Sequence, residues 1–175
     1  MKNKSEKTHI VLRIKPTVRV RWDSVNVVSE HSKVFAQEGI VAVGKFGAPL
    51  PFLKCIELAE NLKRGAETWL YLVFKKENLF QGFRGRVKDV FRTDDNRYAV
   101  LKCPDYYTQL PVKPSMWFVL SSQLESYPVQ RLNLRSSDRP LIDVLAECRT
   151  PMMFVNEKPQ LLSKTHKRRI RARVP

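Results

Sequence analysis

Thr68-Trp69-Leu70-Tyr71-Leu72-Val73-Phe74 is the stretch that decides the fold. It is apolar or aromatic almost throughout, with no polar face. A strand of that composition is buried on both sides, so it predicts the centre of a sheet. Leu79 to Phe91 reads as a second, longer strand. Gly82 and Gly85 interrupt it and predict bulges or sharp bends, which small barrels need at their corners. Asp94-Asp95-Asn96 is a turn, and Tyr98-Ala99-Val100-Leu101 then resumes the sheet as a hairpin partner.

Working outward, Ile40 to Val43 is a strand that runs into the Gly-bracketed turn Gly44-Lys45-Phe46-Gly47. A helix is predicted from about Pro51 to Arg64, with Pro in its first turn and Gly65 just past its end. Phe52, Ile56 and Ala59 form one apolar line on it, and Cys55, Leu58 and Leu62 a second. The combined stripe predicts a packed face. Cys103 to Pro114 reads as a loop carrying Tyr106-Tyr107, and Met116 to Leu120 as a strand. Ser122 to Glu125 begins a short helix or turn. Ser136-Ser137-Asp138 is suited to cap a helix through Leu141 to Leu145, and Met152 to Val155 makes the last strand. Five to seven strands, two or three short helices and no regular βαβ alternation predict an α+β fold on a small, bent, mostly antiparallel sheet or barrel.

The charge lies at the ends of the chain. Residues 1–21 carry a net +6 and residues 164–175 another +6, out of +15 over 175 residues. A nearly neutral body with two cationic arms predicts a polyanionic partner gripped from outside, most simply nucleic acid, DNA or RNA, whose phosphates release counterions when neutralised. Val18-Arg19-Val20-Arg21-Trp22 alternates apolar and basic residues, the period of a half-exposed strand. The N-terminal arm, 1–37, is therefore expected to be partly β. The tail, 158–175, lacks apolar periodicity and is expected to be flexible.

Catalytic and metal chemistry find little support. There is no GxSxG, Walker loop, GxGxxG or HExxH motif. Asp94 and Asp95 sit in a turn, without the third acid and lysine a nuclease needs. Cys55, Cys103 and Cys148 are odd in number and lack CxxC spacing, so no disulfide framework or zinc site is expected. No apolar run approaches the roughly 20 residues that span a bilayer, and no signal segment is evident. The expectation is a cytoplasmic protein with no cofactor, no membrane partner and no enzymatic activity.

The segments Val41 to Gly47, Thr68 to Leu72, Pro104-Asp105-Tyr106-Tyr107, Met116-Trp117-Phe118 and Ser136 to Leu141 together resemble the EVE-like domains of the PUA superfamily. These occur alone or fused to modification-dependent restriction proteins. The resemblance covers about residues 38–155, within an expected domain of 38–157, and implies a PUA-like pseudobarrel that accepts an extruded, often methylated base in an aromatic pocket. It implies Gly44, Phe46, Tyr106, Tyr107 and Trp117 as the base pocket. The chain departs from the family pattern at Ala42 and Val43, where the family carries bulky aromatics before the turn.

The expected function is nucleic-acid binding, with a modified or plain base read in that pocket. Lys45, Arg19, Arg21, Lys167, Arg168, Arg169, Arg171 and Arg173 are the expected phosphate contacts. The alternative is an adaptor of a defence or mobile-element complex, docking on a protein partner or structural RNA.

Overall fold

The computed structural model describes residues 9–14, 24–94 and 101–157, with the backbone alone at 24–26. The described residues form eight strands: β1 (His9–Ile14), β2 (Val41–Lys45), β3 (Trp69–Lys76), β4 (Leu79–Arg92), β5 (Met116–Leu120), β6 (Glu125–Tyr127), β7 (Leu132–Leu134) and β8 (Met152–Glu157). They also form four α-helices: α1 (Ser24–Glu38), α2 (Phe52–Lys63), α3 (Tyr106–Gln109) and α4 (Leu141–Glu147). The sheet runs β2-β5-β4-β3-β1-β8-β7, with β6 also on β4. All pairs are antiparallel except β1 with β3. The α+β class and the bent sheet expected from the sequence are present.

Strand β3 is central, and its side chains alternate between two cores. Leu70, Leu72 and Phe74 join Ile10 and Leu12 in a core covered by α1 and α2. Tyr71 and Val73 join Val11 in a second core with Val129, Leu141 and Leu145. A strand with apolar neighbours on both sides has no use for a polar face, which is why the residue 68–74 stretch shows none.

The bend lies in β4. Its first half pairs with β3 and β6, and its second half with β5. Between Val87 and Asp89 the register with β5 shifts by one, leaving Lys88 as the extra residue of a bulge. The predicted bulges at Gly82 and Gly85 are thereby corrected. A Cβ at Gly82 would stand 2.7 Å from the Tyr127 carbonyl oxygen, and one at Gly85 would stand 2.7 Å from Leu120 Cδ1. Those glycines permit close packing rather than a kink.

The second strand of the hairpin expected between residues 79–91 and 98–101 falls on residues 95–100, which lie outside the described set; Leu101, which is described, lies outside any strand.

The expected N-terminal arm dissolves into the body wherever it is described. β1 lies between β3 and β8, with Ile10 and Val11 fully buried. Arg13, counted among the arm's cations, donates from Nη1 to the Cys148 carbonyl and lies 5.8 Å over the Phe80 ring. Residues 24–38 form a helix, with Val27 and His31 buried one turn apart and Val34 and Phe35 half-buried beyond them. Arg19, Arg21 and Trp22 lie outside the described residues, as do Lys167, Arg168, Arg169, Arg171, Arg173 and the rest of the tail.

Helix α2 ends in the expected glycine. Gly65 has φ +85°, its N–H donates to Leu62 O, and Ala66 N–H donates to Asn61 O at 2.9 Å, which closes a Schellman cap. The packed face is narrower than predicted. Cys55 and Leu58 are buried, but Phe52 is 61% and Leu53 78% exposed. Helix α4 is capped at Pro140, not at Ser136 to Asp138. Those three residues form a tight turn in which Asp138 has φ +54°.

Candidate functional site

The Gly44 corner is built from four elements. β2 and β5 pair so that Gly44 lies opposite Trp117. The segment leading into α3 runs along the free edge of β2, where Ala42 N–H donates to Lys102 O at 2.7 Å. That path delivers Tyr106 and Tyr107 onto the end of β2. The Tyr107 ring lies 4.9 Å from Trp117, 4.3 Å from Tyr106 and 6.1 Å from Phe46, nearly parallel to the last at 22°. The five residues expected to form a base pocket therefore converge.

Gly44 has a specific reason to be glycine. A Cβ there would stand 2.5 Å from Pro114 Cγ and 2.8 Å from Tyr107 Cε1. The missing side chain lets the tyrosine ring close on β2, and Gly44 N–H donates to Tyr107 Oη at 2.9 Å.

A sixth member, His31, was not expected. It is fully buried on α1. Its Nδ1 lies 2.7 Å from the Val27 carbonyl, which can only accept, so Nδ1 carries the proton. Nε2 is then bare and accepts from Tyr107 Oη at 3.3 Å. The tyrosine hydroxyl thus accepts a hydrogen bond from β2 and donates one to α1. Burial drives the His31 pKa from 6.5 down to about 4, so the ring is neutral at ordinary pH. Burial also pushes the Tyr107 hydroxyl up to about 12 and the Tyr106 hydroxyl well above the usual phenol range. The signal for His31 was present in the sequence: Val27, His31, Val34 and Phe35 follow helical spacing.

Accessibility divides the predicted pocket. Trp117 is 0% exposed and Tyr107 6%, so neither face is open to a base. Tyr106 is half-buried and Phe46 is 37% exposed. Phe46 and Tyr106 present the surface, while Tyr107 and Trp117 form its rigid backing.

Lys45 corrects the sequence reading. It is 5% exposed, and its Nζ donates to Phe46 O at 3.2 Å and to Ala48 O. Burial lowers its pKa. Its ammonium holds the Gly47 turn, where φ is +77°, and is not displayed to a phosphate. The exposed cations beside the corner are Lys102, paired with Glu38 at 3.2 Å, and Lys113, next to the Pro114 that packs on Gly44.

A second aromatic group lies on β3, β4 and β6. The Arg84 guanidinium sits 4.4 Å over Trp69 and 4.5 Å over Tyr127. It pairs with Glu125 at 2.6 Å and Glu157 at 3.0 Å, and Tyr71 Oη donates to the same Glu157. This clamp is filled by the chain's own cation.

Among the described residues, no three or more His, Cys, Asp or Glu side chains are grouped to hold a metal ion, and no helix is long and apolar enough to cross a membrane. Asp94 pairs with Arg92 at 3.4 Å.

No family model and no curated protein matches the chain. Among solved structures it is similar to the YTH domain of Zygosaccharomyces rouxii MRB1 protein, crystallised in complex with N6-methyladenosine RNA. Identity is 14% and the TM-score 0.34, over 91% of this chain and 81% of that one.

Proposed function

We propose that this chain is a non-catalytic nucleic-acid-binding protein that sets a base, modified or plain, against Phe46 and Tyr106 at the Gly44 corner. The observation that carries the reading is the convergence of Gly44, Phe46, Tyr106, Tyr107 and Trp117 on one corner with Phe46 still open to solvent. A base stacked on an aromatic face contributes about 1–3 kcal/mol, and a backing that does not move loses little of it to ordering. The +15 charge supports a polyanionic partner. Phosphates fall to Lys102, Lys113 and the terminal cations, and Lys45 keeps the turn. The EVE-like resemblance points the same way, and recognition of a modified base belongs to this reading.

The test is titration of DNA and RNA oligonucleotides into the full chain between about 50 and 200 mM salt. Affinity should fall steeply with salt, deletion of residues 164–175 should flatten that slope, and Phe46→Ala should weaken binding with the slope unchanged. Salt-independent binding, or none, overturns the proposal. The adaptor reading draws on one observation, the exposure of Phe52 and Leu53 on α2. It would gain if a protein partner co-purified without nucleic acid and Leu53→Asp released it.

A further inference from the structure

The outer face of α2 is apolar and uncovered. Six large apolar side chains are exposed among the described residues, and three of them, Phe52, Leu53 and Ile56, lie on the first two turns of this helix. They form one stripe, turned away from the Cys55 and Leu58 that enter the core. Phe46 is exposed as well, and the chain runs from it into the stripe through Pro49 and Pro51. We propose that α2 is a self-association face, packing antiparallel against α2 of a second copy of this chain about a two-fold axis at Ile56. This stands apart from the nucleic-acid reading.

Adjoining exposed apolar side chains of this size mark an interaction face. The charges beside them decide the occupant. Along α2 these run Lys54, Glu57, Glu60, Lys63. Glu57 and Glu60 repel a phosphate backbone, so nucleic acid does not suit this face even on a chain of +15. A reversed copy of the same helix does suit it. With the axis at Ile56, Lys54 and Glu57 of the partner subunit lie within about one residue rise of each other, ~1.5 Å along the helices. The axis makes that pair twice. A parallel copy would set Lys54 against itself. Both charges are available: among the described residues Lys54 and Glu57 have no ion-pair partner, whereas Glu60 pairs with Arg64 at 3.5 Å. In this register Phe52 covers the Lys63 stem of the partner subunit, and Leu53 the stem of its Glu60. The body between the basic termini is nearly neutral, so it does not hold two copies apart. The seam is one pair of 12-residue helices, which makes the dimer weak and concentration-dependent.

The experiment is sedimentation equilibrium of the full chain, freed of nucleic acid, over about a hundredfold range of concentration. It is repeated for Leu53→Asp, Lys54→Glu, Glu57→Lys and an equimolar mixture of the last two. Unfolding midpoints of the variants serve as the folding control. The unsubstituted chain should pass from monomer to dimer, and Leu53→Asp should stay monomeric. Each charge reversal acts at two symmetric places and should weaken association by about tenfold. The mixture should recover it, because each variant then offers the charge the other lacks. A monomer at every concentration overturns the proposal. So does a dimer that Leu53→Asp leaves intact, and so do reversals that the mixture fails to rescue, since the antiparallel register requires the rescue. In a monomeric chain, loss of oligonucleotide binding with Leu53→Asp gives the face to nucleic acid, and release of a different protein gives it to the adaptor reading. Either outcome removes the second copy. The base-stacking reading survives all of these failures, because Phe46→Ala tests it separately.

Discussion

At the Gly44 corner the groups enclosed by aromatic rings are neutral, whereas in the Arg84 clamp they are charged. Tyr107 and His31 are buried to the point that charge is expelled, and their hydrogen bonds run from a β2 amide to an α1 carbonyl. Arg84 keeps 24% of its side chain in solvent, and its partners Glu125 and Glu157 keep 56% and 33%. Burial decides which device is affordable: a paired charge tolerates water, and a dry site favours a neutral relay. The corner should therefore be stiff, sensitive to acid and indifferent to salt. The clamp should be soft and salt-dependent.

The largest expected effect comes from removing the backing of the corner. Trp117→Ala should cost about 3–5 kcal/mol of stability, as for other fully buried aromatic rings. Urea unfolding measures it. A loss under about 1 kcal/mol would mean the corner collapses easily and is not a rigid wall.

Acid tests the neutral relay. The folded-state pKa of His31 lies near 4, below its ordinary 6.5, so the unfolded chain takes up a proton that the folded chain refuses. His31 leaves stability intact above pH 6.5 and removes it as pH falls toward 4. The loss amounts to about 3 kcal/mol across that window, at about 1.4 kcal/mol per pH unit. His31→Gln should flatten this dependence. An unchanged profile in the variant would place the acid sensitivity elsewhere.

Tyr107→Phe isolates the hydroxyl. It leaves the Gly44 N–H and His31 Nε2 without their shared partner while keeping the ring, and should cost about 1–3 kcal/mol. Chemical denaturation at pH 7 reads the difference, and a neutral substitution would show that the relay contributes nothing.

Of the two regions, only the corner was partly legible in the sequence. The residue 68–74 stretch revealed the centre of the sheet because burial on two faces leaves a composition signature. The corner was found through the turn and the tyrosine pair, since short motifs survive when read along the chain. His31 was missed because the charge of residues 1–21 drew α1 into an expected arm, although the spacing of Val27, His31, Val34 and Phe35 is helical. β1 was missed as an interior strand for the same reason: three of its buried residues sit beside Arg13, whose charge is used inside the fold. Lys45 shows the opposite error. A lysine in a glycine turn reads as a displayed cation, and only the fold reveals that the turn's own carbonyls consume it. The Arg84 clamp had no sequence signal, because Trp69, Arg84, Tyr127 and Glu157 meet only through strand pairing.

The smallest effect separates the two regions most cleanly. Arg84→Met keeps an unbranched stem between Trp69 and Tyr127 and removes the charge. Partly exposed ion pairs contribute about 0–1 kcal/mol, and a cation over an exposed ring about 0.5–1 kcal/mol. The variant should therefore lose only about 1 kcal/mol at low salt. The loss should shrink as sodium chloride approaches 1 M, where the screening length falls to about 3 Å. Tyr107→Phe, measured beside it, should lose the same amount at every salt concentration, because no ion reaches a buried hydroxyl. If the Arg84 loss is salt-independent, or exceeds that of Tyr107→Phe, the clamp is as dry as the corner. The contrast between a neutral, buried backing and a solvated charged clamp would then fail at the clamp.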